Sequence, residues 1–162
     1  MFSSQLMRLA EVVLADARAN GLRLATAESC TGGLIGGLLT EIPGSSDVFE
    51  RGFIVYSNRA KSDLLDVPGD LIADQGAVSE AVARAMAEGA VNNSHAHAAV
   101  AVTGIAGPGG GTRMKPVGLV HIAAAREGRS ILHEVHRFGD IGRTEVRLLT
   151  VEAALTLLQR LL

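Results

Sequence analysis

A chain of 162 residues with 48% apolar side chains and a mean hydropathy of +0.27 can bury a sizeable core and is too apolar to stay disordered. A formal charge of -2, no tryptophan and one tyrosine supply neither the basic footprint nor the stacking platform of a nucleic-acid binder, so no nucleic-acid partner is expected. No apolar run approaches the roughly 20 residues of a membrane span, the first residues carry no basic or cleavage-site pattern, and a single cysteine suits a reducing compartment. One cytoplasmic domain over residues 1–162, without a membrane partner, is the expectation.

Leu6, Leu9, Val13 and Ala17 recur on one face of a helix predicted over 4–20, capped by Ser3 or Ser4 and stopped by Asn20-Gly21. A short strand over 22–26 then meets the turn Ala27-Glu28-Ser29-Cys30-Thr31-Gly32-Gly33. A helix over 32–41 follows, ended by Pro43-Gly44-Ser45. The run 52–56 reads as a second strand, Ser57-Asn58 opens a short helix to about Leu65, and 66–78 reads as mostly loop. Ser79 caps a helix to about Asn92, and the almost wholly apolar 98–103 predicts a strand covered on both faces. After the glycine-rich loop 104–111, strands over 117–125 and 130–138 are joined by Arg126-Glu127-Gly128-Arg129 as a hairpin. A helix from about Ile141 to Leu161 completes the pattern. Helices alternating with strands, plus one hairpin, predict a three-layer α/β/α sandwich on a mixed, mainly parallel sheet.

In open α/β sheets ligands collect beyond the carboxyl ends of the strands. Three such ends carry polar residues here: Glu28 to Thr31, Ser57 to Lys61, and Thr103 to Gly111. If those strands are parallel neighbours, the three loops share one crevice. Ser29 is a nucleophile candidate, and Lys61 can take its proton if burial lowers the lysine pKa. The plainer readings are a helix cap for Ser29 and a solvated lysine for Lys61. Cys30 is a rival nucleophile whose pKa a helix N-terminus would lower, and Thr31 reads as a cap or an oxyanion-side donor. The glycine-rich loop can offer amides to a phosphate or a carbonyl, although it has neither the P-loop ending nor the dinucleotide fingerprint. Lys115, Arg143 and Arg147 are candidate phosphate partners. His95 and His97 alternate without a third ligand at zinc spacing, His121 reads as an interior histidine, and His133 and His136 fall on opposite strand faces. No metal and no cofactor is expected.

Thr26-Ala27-Glu28-Ser29-Cys30-Thr31-Gly32-Gly33, Arg51-Gly52-Phe53, Tyr56-Ser57-Asn58 with Lys61, Gly76-Ala77-Val78-Ser79, Thr103-Gly104-Ile105-Ala106-Gly107-Pro108 and Lys115-Pro116-Val117-Gly118 occur in order along nearly the whole chain. Together they resemble the CinA C-terminal domain family, in the form that stands without the N-terminal domain of full-length members. The resemblance implies a homodimeric nicotinamide-nucleotide amidase that hydrolyses nicotinamide mononucleotide to nicotinic acid mononucleotide and ammonia without a metal. It implies Ser29 as nucleophile and Lys61 as its base, with Tyr56 and Thr103 lining the site. Cys30, Thr31, Gly32, Gly33, Ser57, Asn58, Gly104, Gly107 and Arg143 complete the expected set of substrate contacts, the amides from Cys30 to Gly33 holding an oxyanion. The alternatives are a non-catalytic nucleotide-binding or interaction module linked to competence or DNA damage, and a Cys30 hydrolase.

Overall fold

The computed structural model describes residues 1–162. In chain order its elements are α1 (Ser4–Ala19), β1 (Leu24–Glu28), α2 (Leu34–Glu41), a 3₁₀ turn (Ser45–Asp47), β2 (Phe49–Ile54) and α3 (Asn58–Leu65), then α4 (Gly69–Gln75), α5 (Glu80–Asn92), β3 (Ala98–Gly104), β4 (Leu119–Arg126), β5 (Leu132–Arg137) and α6 (Arg143–Gln159). Ser3, Ser57 and Ser79 cap α1, α3 and α5 by accepting from the amides of Leu6, Ala60 and Val82, so three of the helix starts are written in serine.

The five strands form one sheet of order β2-β1-β3-β4-β5. β1 runs parallel to both β2 and β3, while β4 and β5 are antiparallel, as the predicted hairpin requires. Leaving β1, the chain crosses to one side to make β2 and then returns to the other side to make β3. The carboxyl end of β1 is therefore a topological switch point, where loops diverge and leave a crevice.

Alternation along the central strands divides the core into two layers. Leu24, Val100, Val102, Val120 and Ile122 pack with α1, α2 and α6, and Ala25, Ala27, Ala99, Ala101 and Ala123 with the α3–α5 side. Alanines on the second face let α5 lie close to the sheet. The same alternation carried to the end of β1 sends Glu28 toward α2 and Ser29 toward α3.

Two predicted boundaries move in a way that matters. β1 extends through Glu28, so Ser29 stands directly at the strand end and its amide still donates to Val102 O at 3.2 Å. The span 66–78 is not mostly loop: α4 occupies Gly69–Gln75, with Ile72 buried. Gly69 at its start and a length of two turns weaken the helical period there, and packing on α5 supplies what propensity does not.

α3 approaches α5 closely at Gly89, where an added Cβ would collide with the Leu65 carbonyl at the end of α3. Gly89→Ala is expected to destabilise the fold by about 1–3 kcal/mol through overpacking. Urea unfolding will show it as a lowered midpoint with an unchanged slope.

Candidate active site

The crevice at the switch point is a cleft of ≈ 200 Å³ lined from all three parallel strand ends. β1 contributes Ser29 and Cys30, the β2–α3 loop and α3 contribute Tyr56, Asn58 and Lys61, and β3 with its loop contributes Thr103, Gly104 and Ala106. Ala77 and Val78, ahead of α5, and Arg143, the first residue of α6, close the rim. A larger cavity of ≈ 610 Å³ lies between residues 108–113 and 137–140, but its lining holds no serine, cysteine, lysine or histidine.

Lys61 is the unusual residue. It is 1% exposed, among the largest fully buried side chains, and forms no ion pair with a carboxylate. Side chains on a helix lean toward its N-terminus, so Lys61 reaches back over the start of α3. Its Nζ stands 3.0 Å from Val55 O, 3.4 Å from Tyr56 O and 3.1 Å from Ser29 Oγ. Burial lowers the Lys61 pKa, opposed only by the nearby Cys30 thiol. As a neutral amine it can give its two N–H groups to the carbonyls and keep its lone pair for the Ser29 hydroxyl. That arrangement can draw a proton from serine.

Ser29 caps nothing. The amides at the start of α2 are taken by Glu28, whose buried carboxylate accepts from Gly33 N at 3.2 Å, Ile35 N at 2.9 Å and Gly36 N at 3.0 Å, and from the Thr31 hydroxyl at 2.6 Å. A carboxylate at a helix N-terminus satisfies orphan donors and complements the helix dipole. Gly32 N donates to Ser29 O at 3.1 Å. The expected oxyanion cradle of four amides from Cys30 to Gly33 is thereby reduced. Only the Cys30 and Thr31 amides have no main-chain acceptor, the Cys30 amide facing just its own thiol, and of these two residues only Cys30 lines the cleft.

The remaining candidates separate cleanly. Thr103 lines the cleft with its hydroxyl donating to Ala77 O at 2.9 Å. Tyr56 is 63% exposed at the mouth, its phenol accepting from Arg143 Nη2 at 3.0 Å, and Arg143 Nη1 donates to Gly107 O at 2.7 Å. Thr31, Gly32, Gly33, Ser57 and Gly107 stand behind the cleft wall, where Ser57 serves as the α3 cap and Gly107 only lends its carbonyl. Lys115 donates to Gln75 O at 2.6 Å and Arg147 to the carbonyls of Cys30 and Thr31, and neither lines the cleft. Burial pushes the Cys30 thiol up to about 12, the reverse of what a reactive cysteine needs. Among the histidines, His97 accepts from Arg23 N, and His121 pairs with His133 across β4 and β5 at 2.9 Å.

Fold and site together define an α/β/α protein with a buried serine–lysine pair at the switch point of its sheet. The CinA C-terminal domain model matches residues 6–162, and the chain belongs to that family. It is 49% identical over 152 residues to a putative competence-damage inducible protein of Caldicellulosiruptor bescii, covering 94% of this chain and 36% of that one. A CinA-like protein of Synechococcus sp. is 56% identical over 153 residues, with 93% and 36% covered. The chain thus spans about a third of the length of these curated relatives. Among solved structures, the competence/damage inducible protein CihA of Agrobacterium tumefaciens superposes with a TM-score of 0.98 at 53% identity, covering 99% of this chain and 98% of that one. A CinA superfamily protein of Escherichia coli gives 0.92 at 32%, with 100% and 94% covered.

Glu28→Ala strips four donors of their acceptor in a buried setting. It is expected to cost about 3 kcal/mol or more, because several buried donors are left unsatisfied at once. Denaturant unfolding against wild type measures it.

Proposed function

We propose that this protein is a metal-independent amidohydrolase of nicotinamide mononucleotide, releasing nicotinic acid mononucleotide and ammonia. The observation that carries the reading is the buried Lys61 amine 3.1 Å from Ser29 Oγ, without a carboxylate to hold it as an inert ion pair. The substrate comes from the family resemblance. It accords with a cleft that has the Arg143 guanidinium at its rim and no carboxylate in its lining, as suits a phosphate-bearing ligand.

In this reading Ser29 Oγ attacks the carboxamide carbon while its proton passes to Lys61 Nζ. The tetrahedral oxyanion takes the Cys30 amide, which has no main-chain acceptor and faces only its own thiol. Protonated Lys61, its charge spread over the Val55 and Tyr56 carbonyls, then returns the proton as the C–N bond breaks and ammonia leaves. Water attacks the resulting ester with Lys61 again as base, freeing the nicotinic acid product and Ser29. Arg143 fixes the mouth by tying the β3 loop to Tyr56 and offers its remaining N–H groups to the phosphate. A reducing, cytoplasmic setting and a homodimer belong to the same proposal. No helix is long and apolar enough to cross a membrane.

Purified protein is expected to release ammonia from nicotinamide mononucleotide with no metal added, and Ser29→Ala to abolish it. Binding without turnover by folded wild type would replace the enzyme with a nucleotide-binding module. Lys61→Met is expected to lower kcat by about 10²–10⁴-fold, the usual contribution of a general base, with the fold retained by circular dichroism.

The pH profile follows from the sign of the lysine shift. Burial disfavours the ammonium, so the active amine persists to lower pH than the ordinary lysine value of 10.5 allows. kcat/KM is expected to rise with pH through one deprotonation whose midpoint lies below that value, and to fall away on the acid side. A midpoint at or above 10.5 would remove Lys61 from the role of base.

A further inference from the structure

Arg143 and Arg147 lie one turn apart on α6 and so share a face. The first spans the mouth of the cleft, and the second reaches the back of the Ser29 turn. Arg147 Nε donates to Cys30 O at 3.0 Å, and Nη2 donates to Thr31 O at 3.2 Å. No carboxylate forms an ion pair with it, so its hydrogen bonds go to these two carbonyls. The approach depends on Gly32, where φ is +56° and an added Cβ would stand 3.3 Å from Arg147 Nη2.

Each carbonyl shares a peptide plane with the amide that follows it. The Thr31 carbonyl belongs to the plane of Gly32 N–H, which donates to Ser29 O at 3.1 Å. The Ser29 carbonyl in turn belongs to the plane of Cys30 N–H, the cleft-wall amide without a main-chain acceptor. Guanidinium, Thr31 carbonyl, Gly32 amide, Ser29 carbonyl and Cys30 amide thus form one polarised series. A carbonyl that accepts a hydrogen bond makes its own amide a stronger donor, and such series reinforce along their length. The bond to Cys30 O fixes the same residue from its other side.

We propose that Arg147 is a positioning residue for the oxyanion donor, holding and polarising the Cys30 amide through the turn without touching substrate. The inference rests on the Ser29 hydrolase reading above but not on the identity of the amide substrate. Removing the guanidinium leaves Ser29 and Lys61 in place and loosens the group that receives negative charge. Loss should therefore fall on the rate of bond formation at Ser29 and leave the Lys61 titration where it was.

A fluorophosphonate probe tests this without a natural substrate. Ser29 Oγ bonds to phosphorus, fluoride leaves, and Lys61 takes the hydroxyl proton, while the phosphoryl oxygen occupies the oxyanion position. Labelling of Ser29 would be followed by mass spectrometry across pH in wild type, Arg147→Gln and Arg147→Lys, with Ser29→Ala as the blank. Arg147→Gln is expected to label about 10–100-fold more slowly, the range found for residues that orient a reacting group from behind. Its pH midpoint should match wild type. Arg147→Lys keeps the charge but loses the fork, so it should fall in between, and it carries the test if the glutamine variant does not fold. Wild-type labelling rates in both variants would overturn the inference alone. So would a slowed rate with a displaced pH midpoint, which would mean that Arg147 acts through Lys61. A folded wild type that does not label at Ser29 would overturn the hydrolase reading first, and this inference with it.

Discussion

A lysine amine that ends among two main-chain carbonyls and a serine hydroxyl, with no carboxylate in reach, must be kept there by the surrounding fold, because water would otherwise solvate it better. Much of the local architecture meets that demand. β2 stops at Ile54, so the carbonyls of Val55 and Tyr56 turn free of the ladder and become acceptors. Ser57 fixes where α3 begins, and the N-terminal lean of helical side chains aims Lys61 at those carbonyls. Gly89 then lets α3, which carries the buried Lys61, settle closely against α5.

The turn after β1 is held by opposite charges working on opposite ends of the peptide group. Glu28 collects amides, from Gly33, Ile35 and Gly36, and Arg147 collects carbonyls, from Cys30 and Thr31. Between them much of the main chain around Ser29 is engaged, which holds its hydroxyl opposite the Lys61 amine. Preorganisation of this kind is costly for the fold and favourable for bond making, since little has to move as charge develops.

Much of this was legible in the sequence. Alternation, serine caps and the Arg126–Arg129 hairpin gave the layers and the mixed sheet, and parallel β1, β2 and β3 put Ser29, Lys61 and Thr103 at one end. What stayed hidden was hidden for physical reasons. Glu28 has no local signature, because a carboxylate that caps the helix five to eight residues ahead follows no capping-box spacing. Arg147 looked like a phosphate ligand since nothing in a sequence tells whether a guanidinium is already occupied by carbonyls. Ala77 and Val78 line the cleft, with Thr103 holding the Ala77 carbonyl, and neither side chain carries a chemical marker. The short helix α4 depends on its seat against α5 rather than on its own residues.

Both arginines that brace the cleft come from α6, separated from the groups they hold by 87 residues at Tyr56 and 117 at Cys30. A ribosome delivers the serine turn, the lysine helix and the first strands long before it delivers that helix. Synthesis adds about 5–20 residues per second and a domain folds as a unit, so Ser29 waits several seconds for its last supports. A chain stopped short of α6 lacks both hydrogen bonds to the Cys30 and Thr31 carbonyls. The crevice is thus complete only once the last helix to be made has docked.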